Sequence, residues 1–174
     1  MKNQSVLYGL TTLIVILALV ATGAGLFWQR SGEPYPFTSH RGEEVMLLGH
    51  GLYRYDTVSS AAQAQAQDLI TLVLALPLLI IATWLTWQGS LRGQLLLTGT
   101  LGYFLYTYMS MSFLAAYNEL FLVYVAIFAL SLYAFILSML SVDLAALPRR
   151  FSAQLPRRTI AGVLLAGAAF LVLA

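Results

Sequence analysis

The chain has 174 residues, 60% hydrophobic and 9% charged, with no cysteine and a formal net charge of +2. A soluble domain carries about 25% charged residues, so a water-exposed globule, a disordered chain and a nucleic-acid binder are all excluded. An integral membrane protein remains.

Apolar runs of about 17–25 residues read as membrane-crossing helices, because a hydrocarbon layer ~30 Å thick needs ~20 residues at 1.5 Å each. Five such runs follow one another: Val6–Trp28, Leu69–Trp87, Leu95–Tyr117, Leu120–Val142 and Thr159–Ala174. The first exceeds the 7–15 apolar residues of a signal peptide and reads as an uncleaved signal-anchor within residues 1–28. The last spans roughly 24 Å, short of a full crossing, so the chain is expected to be a fragment of a longer protein. The fold class expected is an all-α membrane bundle of about five helices with a small extracytoplasmic β-hairpin loop. Its segments are 1–28, a loop at 29–67, a three-helix core at 68–142, a basic loop at 143–158 and a fifth helix at 159–174.

Lys and Arg in short connections set orientation. With the N-terminus in the cytoplasm, the inside holds Lys2, Arg92, Arg149, Arg150, Arg157 and Arg158 against Arg30, Arg41 and Arg54 outside. Acidic residues are lopsided the other way, with only Asp143 inside. Residues 29–67 are therefore expected to be extracytoplasmic. The basic inner loop fits topology and contact with anionic headgroups.

In the outer loop, Glu33-Pro34-Tyr35-Pro36 reads as a stiff exit. Glu44–Leu48 and Leu52–Asp56, joined by Gly49-His50-Gly51, read as the two arms of the hairpin. Strand alternation then puts Leu52, Arg54 and Asp56 on one face and Tyr53 and Tyr55 on the other. Ser59 or Ser60 is the expected helix cap. The Ala/Gln run behind it extends the second helix above the bilayer, with a kink at Pro77.

Absences narrow the chemistry. The single lysine, Lys2, lies outside every span, so a retinal-type Schiff base has no lysine. Without cysteine there is no thiol catalysis or cysteine-ligated cluster. Both histidines fall in the outer loop, and no Asp or Glu falls mid-span, where pumps and ion-coupled carriers keep one. No catalytic constellation and no cofactor is expected.

Two groups of candidate residues remain. His40, His50, Arg54, Asp56, Asp68, Asn118 and Glu119 gather on the outer side as a binding or clamping set. Within it, Arg54 and Asp56 are expected to pair with Glu119 or Asp68, and His40, Glu43, Glu44 and His50 offer zinc donors at a spacing that matches no strong motif. The third helix is rich in hydroxyls, and Gly99, Tyr103, Tyr106, Ser110 and Tyr117 share one helical face. Tyr103, Tyr106 and Ser110 read as helix-packing groups or as a polar groove. Tyr124, Ser131 and Ser138 in the fourth helix, and Ala18/Thr22 and Ala21/Gly25 in the first, are expected at helix–helix contacts.

Arg41-Gly42-Glu43-Glu44, Gly49–Asp56, Gly89-Ser90-Leu91-Arg92-Gly93, Gly102-Tyr103-Phe104-Leu105-Tyr106 and Tyr117–Tyr124 together resemble a family of uncharacterised bacterial multi-pass membrane proteins. The likeness covers roughly residues 35–140. It implies an outer loop over a helical bundle in the inner membrane, and a longer C-terminus, but no activity or site. The expected role is a non-enzymatic accessory, scaffold or sensing component, with the lipid bilayer and other membrane chains or further copies as partners. An oligomeric small-solute or lipid transporter comes second, and a lipid-headgroup enzyme at the outer face third.

Overall fold

The computed structural model describes residues 2–28, 30–142 and 156–173, apart from the side chains at 2, 3 and 170–173. They belong to two units, 1–141 and 142–174. The inner-loop residues Asp143, Arg149 and Arg150 lie outside the described residues.

The first unit holds four helices and one small sheet. Helix α1 runs Lys2–Phe27, strands β1 and β2 are Tyr35–Thr38 and Glu44–Leu47, and α2 runs Val58–Trp87. Helix α3 is Leu91–Phe113 and α4 is Phe121–Leu140. The short connections at 88–90 and 114–120 make α2, α3 and α4 antiparallel in succession. Helix α1 packs on α2, α2 on α3, α3 on α4 and α4 back on α1, closing a ring. Its interior is filled by Ile14, Leu79, Leu97, Leu101, Phe104 and Ile127, all fully buried. In the second unit, α5 runs Arg157–Leu173 and opens at the Arg157-Arg158 pair, two residues before the expected start.

By length and composition α1, α2 and α4 can cross a membrane. Helix α3 is as long, but its many hydroxyls dilute its apolar character. Several of those hydroxyls are satisfied locally. Thr98, Thr100 and Ser112 each donate to the carbonyl four residues earlier, at 2.7–2.9 Å. Thr98 Oγ1 also meets Ser138 Oγ of α4 at 2.6 Å. The small residues Ala18, Ala21 and Thr22 of α1 and the Tyr124, Ser131 and Ser138 series of α4 are buried in the ring, where such residues let backbones approach.

Helix α2 carries a π turn at Thr71–Ala75, in which the Leu76 N–H reaches back five residues to the Thr71 carbonyl. Pro77 explains its place. It has no N–H for the Val73 carbonyl, and its ring would crowd that group in a regular helix. The widened turn is what the structure shows at the expected kink. The cap of α2 is Thr57 rather than Ser59 or Ser60: its side chain accepts from the Ser60 N–H at 3.2 Å.

The sheet differs from the expected hairpin. Strand β1, containing Pro36, pairs antiparallel with β2, Tyr35 opposite Leu47 and Thr38 opposite Glu44. Pro36 is tolerated because β1 is an edge strand. The proposed second arm, Leu52–Asp56, is a turn instead. Leu52 and Tyr53 are both buried, at 2% and 1% exposure, while Tyr55 is half exposed. Adjacent residues cannot both face inward in an alternating strand. Backbone bonds from Leu48 N–H to Asp56 O and from Gly49 N–H to Arg54 O close this turn.

Candidate functional site

The loop from Arg30 to Thr57 folds over one end of the ring, where α1 ends, α2 begins and α3 turns into α4. This is called the loop end below. Three separate fastenings hold it there, and they recruit most of the sequence-predicted residues.

The deepest is Tyr53. The turn drives its ring into the ring of helices, and its hydroxyl donates to Asp68 Oδ2 at 2.6 Å. That proton is then committed, so Tyr124, whose hydroxyl lies 3.5 Å away, is the donor to Tyr53. Burial, reinforced by Tyr124 and Asp68 nearby, pushes the Tyr53 phenol well above its ordinary range. Asp68 is 4% exposed. It is a buried carboxyl facing a phenol, and not a surface charge paired with Arg54. Space for it comes from α1: a Cβ on Gly25 would stand 1.7 Å from Asp68 Oδ2 and 2.9 Å from the Tyr53 hydroxyl.

The second fastening is ionic. Arg54 donates to both carboxylate oxygens of Glu119, Nη2 to Oε1 at 2.6 Å and Nη1 to Oε2 at 3.1 Å. Its guanidinium also sits 4.4 Å from the Tyr55 ring centroid. Arg30 reaches the same carboxylate at 3.3 Å. The bond from Arg54 holds the Glu119 carboxyl below its ordinary value, and the same bond raises Arg54.

The third is Asp56, 8% exposed, whose Oδ1 accepts from the Ala116 N–H at 2.9 Å. It therefore caps backbone in the α3–α4 connection and does not meet Glu119 or Asp68 as an ion pair. Burial raises its pKa, against the lowering effect of that bond. Asn118, two residues after Ala116, is buried, its Oδ1 accepting from the Leu120 N–H at 2.9 Å, while its Nδ2 has no partner among the described residues.

The histidines stay apart from this set. His40 is exposed in the β1–β2 turn, and His50 holds the Leu48 carbonyl through Nδ1 at 3.1 Å. Among the described residues no three His, Asp or Glu side chains come together as metal ligands. The zinc set of His40, Glu43, Glu44 and His50 is not assembled.

The proposed groove on α3 is also rearranged. Tyr117 lies beyond the end of the helix and is exposed. The Tyr103 hydroxyl is held by Gln67 Nε2 and by Thr71 Oγ1 of α2. Gln67 also donates to Thr107 Oγ1 at 3.3 Å. Tyr106 and Ser110 instead line an open groove of about 340 Å³ at the loop end, with Asp56, Gln63, Gln67 and Met111. It is polar along α2 and apolar toward Leu114 and Ala115.

Sequence reasoning placed Gly25 at a helix–helix contact, as found, and Tyr53 on a hairpin face, but missed that both meet Asp68. A signal for both was present: a lone acid at the start of an apolar helix needs a buried hydrogen-bond donor and room. No family model, curated protein or solved structure matches the chain.

Proposed function

We propose that this chain is a non-enzymatic multi-pass component of a bacterial inner membrane, with its N-terminus in the cytoplasm and residues 29–67 outside. It serves as an accessory, scaffold or sensing subunit beside other membrane proteins or further copies of itself. One observation carries this reading. The loop is fastened at three points, yet its β-ribbon turns large apolar side chains to solvent: Tyr35 at 41%, Phe37 at 50% and Met46 at 48% exposure. Tyr35 and Phe37 share one face. A rigidly mounted ribbon with an open apolar face suits docking, because little ordering entropy is lost on binding.

The test is a photo-crosslinker in place of Phe37 in the full chain, followed by purification in mild detergent. Adducts to another membrane protein or to a second copy support the reading. A lone monomer without adducts overturns it.

The transport reading has one supporting feature, the groove bearing Tyr106 and Ser110. Against it, Tyr103 is tied to α2, and Leu97, Leu101 and Phe104 fill the ring between α3 and its neighbours. Solute flux in proteoliposomes decides. The headgroup-enzyme reading needs His40, His50 or Glu119 in one pocket; His40 is in the ribbon turn and Glu119 is bound by two arginines.

A further inference from the structure

A hollow of about 560 Å³ opens at the loop end between the end of α1 and the N-terminal half of α2. It is lined by Gly25, Leu26, Trp28, Arg30, His50 and Gln65. Next to its Arg30–Ser31 and His50–Gly51 edges, backbone packs on backbone. A Cβ on Gly32 would lie 2.0 Å from the Gly49 carbonyl oxygen, and Gly49 and Gly51 both hold positive φ, at 77° and 68°. The Gly51 N–H donates to the Arg30 carbonyl at 3.1 Å. These contacts fix the Arg30 and His50 segments side by side.

The charge there is unbalanced. Glu119 is held by Arg54 through two bonds, and by Arg30 only through the longer one at 3.3 Å. One carboxylate thus serves two guanidiniums, and the surplus positive charge lies with Arg30, whose side chain is 55% exposed. A carbonyl can only accept, so His50 bears its hydrogen on Nδ1 toward Leu48, leaving Nε2 clear of that bond. Ser31 and Gln65 add neutral polar groups. The nearest buried acid, Asp68, stands behind Gly25 with its carboxyl turned onto Tyr53. Trp28 and Leu26 form an apolar wall on the helix side.

We propose that this hollow binds a phosphate group, whether on a phospholipid headgroup or free in solution. Arg30 supplies the planar, charged donor that phosphate prefers, and Gln65 and Ser31 supply neutral hydrogen bonds. The volume lies within the range of small-ligand sites, about 300–1,000 Å³. The lipid source rests on the membrane reading: the Trp28 wall would then take the glycerol and first acyl carbons at the bilayer interface, where Trp is favoured.

The experiment uses the full chain in detergent. Phosphatidylglycerol and diacylglycerol with the same acyl chains are the probes, read by native mass spectrometry, with inorganic phosphate as competitor. Retention of phosphatidylglycerol over diacylglycerol is expected. Arg30→Gln should lower that retention about tenfold, as expected for losing one charge-assisted contact, and Arg41→Gln should leave it unchanged. Displacement by inorganic phosphate assigns the site to free phosphate; persistence of the lipid assigns it to the headgroup. Equal retention of both lipids, or equal retention by Arg30→Gln and the natural chain, overturns the proposal when inorganic phosphate also leaves Trp28 fluorescence unchanged. The Arg30 pair with Glu119 is exposed, and exposed ion pairs contribute little to stability, so Arg30→Gln folds. Trp28 fluorescence, titrated with each probe in a Trp84→Phe, Trp87→Phe background, gives an independent reading: no change with phosphatidylglycerol or phosphate also overturns it.

Discussion

The Tyr53 hydroxyl and the Asp68 carboxyl meet at 2.6 Å inside the loop end, one from a turn and the other from a helix 15 residues further on. Both are buried, and the bond is the point at which the loop enters the ring. Removing the hydroxyl with Tyr53→Phe leaves a buried carboxyl without its donor. A stranded buried polar group costs about 1–3 kcal/mol. Asp68→Asn, whose amide oxygen still accepts from Tyr53, should cost less. Thermal unfolding in detergent ranks the two, and a Tyr53→Phe loss no larger than that of Asp68→Asn would overturn this ranking.

Gly25 gives a steric version of the same test. The Cβ of Gly25→Ala would occupy the position of Asp68 Oδ2, so the lock must open or α1 must move. Trypsin should then cut faster at Arg41 and Arg54. Gly23→Ala, two residues earlier, meets nothing within 4 Å and should keep the natural rate.

Acid should loosen the loop through Glu119. Its folded pKa is depressed by Arg54, so its contribution is present above the ordinary value of 4.5 and is lost as pH falls through the lower folded value. Asp56 acts with opposite sign. Its pKa is raised by burial, so protonation relieves a cost as pH falls through that raised value toward 3.8. Glu119 is 36% exposed, and solvent screening keeps its term small. In Glu119→Gln the loss of protease resistance below pH 4.5 should disappear. The natural chain and this variant giving the same acid profile would refute the assignment.

Two serines of α4 should behave oppositely. Ser138 bonds Thr98 across the bundle, and Ser138→Ala should cost about 0.6 kcal/mol, the average for such bonds in membrane helices. Ser131 Oγ is buried with no partner among the described residues. Ser131→Ala removes that unsatisfied group and should leave the unfolding temperature unchanged or higher. A larger loss at Ser131 than at Ser138 would contradict this arrangement.

Much of the helical plan was readable from apolar run length alone, since most of α1, the Leu69–Trp87 part of α2 and α4 are apolar runs. The ends were less readable. Helix α3 starts at Leu91 because Ser90 accepts from the Gly93 N–H, a cap that hydropathy does not register. It stops at Phe113, which removes Tyr117 from the expected face. The hairpin was misplaced because β-leaning composition was read as alternation. Leu52 and Tyr53 both point inward because Gly49 and Gly51 allow a turn there, and no single-residue preference encodes that Tyr53 has a carboxyl waiting. Conversely, Arg54 and Glu119 could be matched from opposite charge and shared side alone.

The π turn at Thr71–Ala75 lies just beyond Asp68 on the same helix. A π turn holds one more residue than a regular turn, and that surplus can be passed along a helix without unwinding it. Were it handed one turn toward the N-terminus, the residues it crossed would rotate about 100° around the axis. Asp68 would swing off Tyr53 and Gln67 off Tyr103, while Leu76–Trp87 stayed seated. The added residue thus sets the helical phase between the two halves, and with it the faces on which Asp68 meets Tyr53 and Gln67 meets Tyr103.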